Sequence, residues 1–197
     1  MYKMYDIGEG VWMWCREKEY PKNSYPLLQL SCSPEENYLI GTHKLGFLLY
    51  NINKINQNNG EESCTSLKLP NGVRNVLTAM NKSSPIVLSA KAEFAIAGVR
   101  KELHVWTVSN GKLVKSLDAH FSRIIDVQPL TYGVWNCVIT SSIDRYIKVW
   151  NMDYIFETSH HIDRHELPIE SVRVSTVAGI AVTVTRTCLG IWDLLTG

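Results

Sequence analysis

The stretch from His120 to Trp150, HFSRIIDVQPLTYGVWNCVITSSIDRYIKVW, admits few folds. An apolar run (Ile124, Ile125, Val127) leads into a turn segment, and a second run extends from Val138 to Ser142. After a tight polar turn, a third run ends at Val149-Trp150. Short β-type runs separated by turn residues predict an antiparallel meander. A buried indole N–H and a buried imidazole both need hydrogen-bond partners, and a carboxylate with a hydroxyl can supply them. His120, Ser142, Asp144 and Trp150 have the spacing of such a set.

The arrangement recurs along the chain. Aromatic residues close a third run at Trp12, Tyr50, Trp106, Trp150 and Trp192, at intervals of roughly forty residues with one longer gap. Immediately before them stand Val11, Leu49, Val105, Val149 and Ile191, and three before stand Glu9, Phe47, Leu103, Ile147 and Leu189. Two after them come Trp14, Ile52, Val108, Met152 and Leu194. Strand alternation puts the two preceding positions on one face, and the anchor with its following neighbour on the other. Both faces are apolar, so these strands are predicted to lie sandwiched between neighbouring sheets.

On these residues the chain resembles the WD-repeat β-propellers. The resemblance implies an all-β fold: residues 1–197 as one propeller segment, with about three full four-stranded blades and a part-blade at each end. It also implies that His120, in the turn before a blade's first long strand, bonds Asp144 in the turn between the second and third. Ser142 and the Trp150 indole would complete the chain of bonds.

Taken in order, residues 1–14 supply only a third strand, with Asp6 in the turn before Trp12. Strands follow at Pro26 to Cys32, Tyr38 to Gly41 and Phe47 to Ile52. The Asn-rich run from Asn53 to Ser66 reads as a flexible insertion. Leu67 to Leu69 is a short outer strand and Val73 to Ala79 an inner one. A loop with Ser84-Pro85 precedes strands at Phe94 to Val99 and Leu103 to Val108. Ser109 to Lys112 signals a hairpin turn, and Leu113 to Leu117 is the outer strand after it. Tyr154 to Ile162 completes the blade of Trp150, and Val172 to Trp192 holds three more strands. A chain that starts and stops in mid-blade is expected to be a segment of a larger propeller or a truncated product. Alternatively the end part-blades combine, with Trp12's strand joining the three around Trp192.

The last two repeats narrow the resemblance. SIDRYIKVWNMDYIFE, HHIDRHELPIESV and AVTVTRTCLGIWDLLTG are similar to the WD-repeat part of NACHT and WD repeat domain-containing proteins. There a nucleotide-binding module precedes the repeats, but the sequence holds no G-x-x-x-x-G-K-[ST] phosphate loop. What the resemblance implies is a non-catalytic protein-interaction scaffold from a larger signalling protein.

Composition removes other classes. A net charge of +1 gives no strong field for nucleic acid or an anionic membrane. No apolar run approaches the ~20 residues of a membrane span, and the start, MYKMYDIGEG, lacks the layout of a signal peptide. Cys15, Cys32, Cys64, Cys137 and Cys188 are odd in number and contain no C-x-x-C pair. Free thiols in a reducing compartment, hence a cytoplasmic chain without a cofactor, are the expectation.

Only the His120 unit carries the whole set. Counted back from their anchors, the Asp place holds Arg186, Arg100 and Lys44, and the Ser place holds Val184, Gly98 and Thr42. One reading is loss of the set in blades that their neighbours bury. The other is functional: Lys44, Arg100, Arg145 and Arg186 all fall in second-to-third-strand turns, which the family geometry gathers on one face. Such a rim suits an acidic or phosphorylated partner segment. Trp135, with Tyr132 in the turn TYGVWN, is either an exposed aromatic contact or a residue packed under a neighbouring loop. His160, His161, Asp163, His165 and Glu166 invite a metal reading, yet alternation sends His160 and His161 to opposite faces. They read as a turn histidine with surface polar residues, and no metal site is expected. With no G-x-S-x-G elbow and a His–Ser–Asp set placed against a Trp, no catalysis is expected either. The competing class is a small-molecule or metal-binding propeller enzyme using the central channel, which would need a convergent pocket of carboxylates or histidines.

Overall fold

The computed structural model describes residues 2–6, 12–16, 29–33, 37–43, 46–53, 64–69, 84–132, 135–153, 157–162 and 165–194. Strands β1 (Tyr2–Asp6) and β2 (Trp12–Arg16) form a hairpin. The first four-stranded sheet holds β3 (Gln29–Cys32), β4 (Tyr38–His43), β5 (Gly46–Asn51) and β6 (Cys64–Leu67). The second holds β7 (Ile86–Leu88), β8 (Phe94–Val99), β9 (Glu102–Thr107) and β10 (Leu113–Asp118). In the third are β11 (Ile124–Tyr132), β12 (Trp135–Ser142), β13 (Ile147–Asn151) and β14 (Glu157–Ile162). The fourth is three-stranded: β15 (Ser171–Ser175), β16 (Ile180–Val184) and β17 (Leu189–Asp193). Every pairing is antiparallel between consecutive strands, the up-and-down order of a blade.

Three apolar layers lie between the sheets. Ile40, Phe47, Leu49 and Leu67 of the first sheet meet Ile86, Leu88, Trp106 and Val108 of the second. Leu103 and Val105 of the second meet Ile124, Val138, Trp150 and Met152 of the third. Ile147 and Val149 of the third then meet Val172, Ala181, Leu194 and Trp192 of the fourth. Each anchor and the residue two after it thus face the preceding sheet, while the residues one and three before it face the following one. The alternation has a visible end: Leu189 and Ile191, which repeat this position in β17, are 61% and 67% exposed. Among the described residues no further sheet covers that side.

Two sheets approach closely at Gly98. A Cβ there would sit 2.5 Å from Ile124 Cγ2 of the next sheet, so any side chain would force the two apart. Where the Ser109 to Lys112 turn was expected, Gly111 takes a φ of 65° and its N–H donates to Thr107 O at 2.9 Å. Glycine adopts that left-handed conformation without steric cost.

Several local expectations need correction. Tyr2–Asp6 is itself a strand, and Asp6 pairs directly with Trp12, so Trp12 opens a strand rather than closing one. Cys64–Leu67 forms β6 against Phe47 to Tyr50, which takes the end of the expected 53–66 insertion into the sheet. The second sheet starts at Ile86–Leu88, just past the expected Ser84-Pro85 loop, because Val87 and its neighbours pair with Ala95 to Ala97. The Val73 to Ala79 strand lies outside the described residues. The Tyr132 and Trp135 backbones pair as the last rungs of β11 and β12, so both belong to strands and not to the turn. Cys32, Cys137 and Cys188 are free thiols.

Candidate functional site

The densest polar network among the described residues is built around β12. Thr140, on the same face as Val138, lies two positions along from the residue opposite Trp150. Its Oγ1 accepts the Trp150 indole N–H at 2.9 Å and lies 2.8 Å from His120 Nε2. On the other side of the ring, His120 Nδ1 is 2.9 Å from Asp144 Oδ2. With the neutral ring's proton on Nδ1, that atom donates to the carboxylate and Nε2 accepts from the Thr140 hydroxyl. The result is one relay from Trp150 through Thr140 and His120 to Asp144, with His120 and Thr140 both buried.

Ser142 is not in that relay. Its hydroxyl donates to Ser122 O at 3.2 Å and accepts the Asp144 N–H at 3.1 Å, so it shapes the turn that aims Asp144. Thr140 was missed because fixed counting from the tryptophan fails when turn lengths differ. Val138-Ile139-Thr140 and Ala181-Val182-Thr183 carry the signal when the second strands themselves are compared.

The fourth sheet repeats the arrangement in shorter form. Thr183 Oγ1 accepts the Trp192 indole N–H at 2.7 Å and lies 2.7 Å from His165 Nε2. The His165 and Trp192 rings meet edge-on at 4.9 Å. The turn from Thr185 to Cys188 is one residue shorter than that from Ser142 to Tyr146. Arg186 therefore points away and pairs with Glu170 Oε1 at 3.3 Å, and Val184 is the last rung of the ladder, not the hydroxyl position. A Cβ on Gly190 would stand 2.8 Å from His165, Thr183 and Trp192 together, so the set closes only over a glycine. Ala97 and Gly41 hold the threonine place in the second and first sheets. Lacking a hydroxyl there, the Trp106 indole donates to Lys68 O of the preceding connection at 2.9 Å.

The turns between second and third strands also bind the next sheet. Lys101 O accepts the Ala119 and His120 N–H groups at 3.2 and 3.0 Å, and Arg145 O accepts the His165 N–H at 3.1 Å. Arg100 and Arg145, in these turns, hold φ values of 57° and 79°, a conformation uncommon outside glycine and asparagine. Of the expected basic rim, Arg100 and Arg186 are exposed, Arg145 is half-buried, and Lys44 lies outside the described residues. The Trp135 backbone is placed, its side chain lies outside the described residues, and the same holds for His160 and His161. Among the described residues no group of three or more His, Cys, Asp or Glu side chains converges to hold a metal.

Residues 159–197 match the family of the NWD2 C-terminal β-propeller. No match was found among curated proteins. With the sheet order, the match makes the fold a partial propeller of WD type, whose four-stranded sheets are blades.

Charge in this network is set by burial and partners. Burial pushes the Asp144 carboxyl up, but the Tyr146 N–H, the charge His120 carries when its ring is protonated, and the Phe121 N–H outweigh it and hold the group below the usual carboxylate value. Burial pulls His165 below the ordinary 6.5. His104 is likewise pulled down by burial, more than the Glu102 charge raises it; its Nδ1 lies 2.8 Å from Ser116 Oγ. A histidine that protonates more readily unfolded than folded withdraws stability as pH falls. Thermal stability is therefore expected to hold above pH 6.5 and to decline below it, with a further decline as Asp144 protonates in stronger acid. Melting curves followed by circular dichroism over that range test this, and a flat profile between neutrality and the onset of carboxylate titration would contradict it.

Proposed function

We propose that the chain is a non-catalytic protein-interaction scaffold. It would be the cytoplasmic WD-repeat part of a larger, NACHT-type signalling protein, and its second-to-third-strand turns would receive an acidic or phosphorylated partner segment. The observation carrying this reading is the stapling of those turns to the following blade through Lys101 O and Arg145 O. Turns held in this way present side chains from a rigid frame, the means by which repeat folds and propellers display binding loops. Arg100, Arg145 and Arg186 stand on these turns. The last is partly neutralised by Glu170, so among the described residues of the rim Arg100 and Arg145 are the cations without a carboxylate partner.

Arrays of acidic and phosphoserine peptides test the reading. Arg100→Glu combined with Arg186→Glu should weaken the peptides that bind by about tenfold, with affinity falling as salt rises. Both residues are exposed, so the variant keeps its melting temperature. Unchanged binding would remove the basic rim from the mechanism.

A further inference from the structure

Phe121 has a position that neither the relay nor the basic rim uses. It is 86% exposed, yet its loop is tied at several points. The Phe121 N–H donates to Asp144 Oδ2 at 2.9 Å. Just before it, Ala119 and His120 donate to Lys101 O, while Ala119 O accepts Lys148 Nζ at 2.6 Å. The same ammonium stands 5.9 Å from the Phe121 ring centroid. An aromatic ring held on a fixed loop in water loses little freedom on binding, and such rings are what protein contacts use as anchors.

The surroundings combine apolar and cationic groups. The Ile143 N–H donates to Arg123 O, and the Ile124 N–H to Arg100 O, which brings both arginine positions to the end of the blade where Phe121 sits. Arg145 Nη1 donates to Glu166 O at 3.2 Å, placing Leu167 next in line. Ile143 and Leu167 are each 37% exposed. Arg123 Nε is shielded from water with no acceptor among the described residues, so part of its desolvation cost is already met before a partner arrives.

We infer that Phe121, with Ile143 and Leu167 and with Arg100, Arg123 and Arg145 at the same end of the blades, anchors an acidic protein segment that carries its own apolar side chain. This rests on the turn face being the docking surface, and it specifies the partner. Carboxylates fit better than a phosphate because the arginines stand on three different turns, Arg100 after β8, Arg123 before β11 and Arg145 after β12. Arg145 and Lys148 each already serve a backbone carbonyl, which leaves fewer cations to converge on one dianion.

The probe is a labelled peptide alternating glutamate with leucine and phenylalanine, titrated by fluorescence anisotropy against the full chain. Controls replace its glutamates by glutamine, its apolar residues by serine, or both by a single phosphoserine. Phe121→Ala, which keeps the backbone donor to Asp144, should raise the Kd roughly thirtyfold, and Arg123→Gln about tenfold. All three control peptides should bind worse than the parent. Absence of binding to the wild type overturns the inference, as does a phosphoserine peptide that binds better. Binding that ignores Phe121→Ala but is lost in the Arg100→Glu, Arg186→Glu variant also overturns it, and leaves the basic-rim reading standing. Circular dichroism of Phe121→Ala should match the wild type, since the ring is outside the core.

Discussion

Thr140→Val is expected to destabilise the chain by about 2–4 kcal/mol, and Ser142→Ala by only about 1 kcal/mol. Valine matches threonine in shape, so the first variant opens no cavity and isolates the loss of one hydroxyl. That hydroxyl serves two buried groups at once, accepting from the Trp150 indole and donating to His120 Nε2. Each group left without a partner away from water costs about 1–3 kcal/mol. The Ser142 hydroxyl, although buried, bonds only backbone groups of two connections, at 3.1 and 3.2 Å, and Asp144 keeps its bonds from Phe121 and Tyr146. Urea midpoints followed by tryptophan fluorescence would rank the two variants. If Ser142→Ala proved the more damaging, Thr140 would not be the centre of the relay.

That comparison also shows what the sequence makes legible. The anchor positions are readable because burial imposes period two on any strand covered on both faces. Hence Leu103 with Val105, and Trp106 with Val108, point to opposite neighbours, as their pattern predicts. The pairing of His120 with Asp144 is what the WD-repeat resemblance implies, and the two side chains do meet. Thr140 is hidden by turn length, because an offset counted across a turn inherits every insertion in it, whereas an offset along one strand does not. Strand β7 is hidden by brevity: Ile86–Leu88 has no room to display alternation, and all three residues are buried. Phe121 is hidden because exposure of an apolar residue depends on the loop's hydrogen bonds, which pattern does not encode.

Trp106→Ala should have the largest effect of all, about 3–5 kcal/mol, and should act on one interface rather than on the whole chain. Trp106 is fully buried, meets Phe47 edge-on with ring centroids 5.6 Å apart, and joins the second blade to the first through Lys68 O. No hydroxyl relay backs up this contact, since Ala97 holds the threonine place. Trp106→Phe, which keeps much of the ring but loses the N–H, is expected to cost about 1–2 kcal/mol. Each blade buries its faces only against adjacent blades, so stability is close to a sum of neighbouring interfaces. A cavity between the first two should therefore release those strands while the Thr140 and Thr183 sets stay closed. Hydrogen exchange separates the outcomes. Lost protection in β4 and β5 with retained protection in β12, β13 and β16 is the expected result. Equal loss everywhere would mean that the blades unfold as one unit and that the layers are not independent.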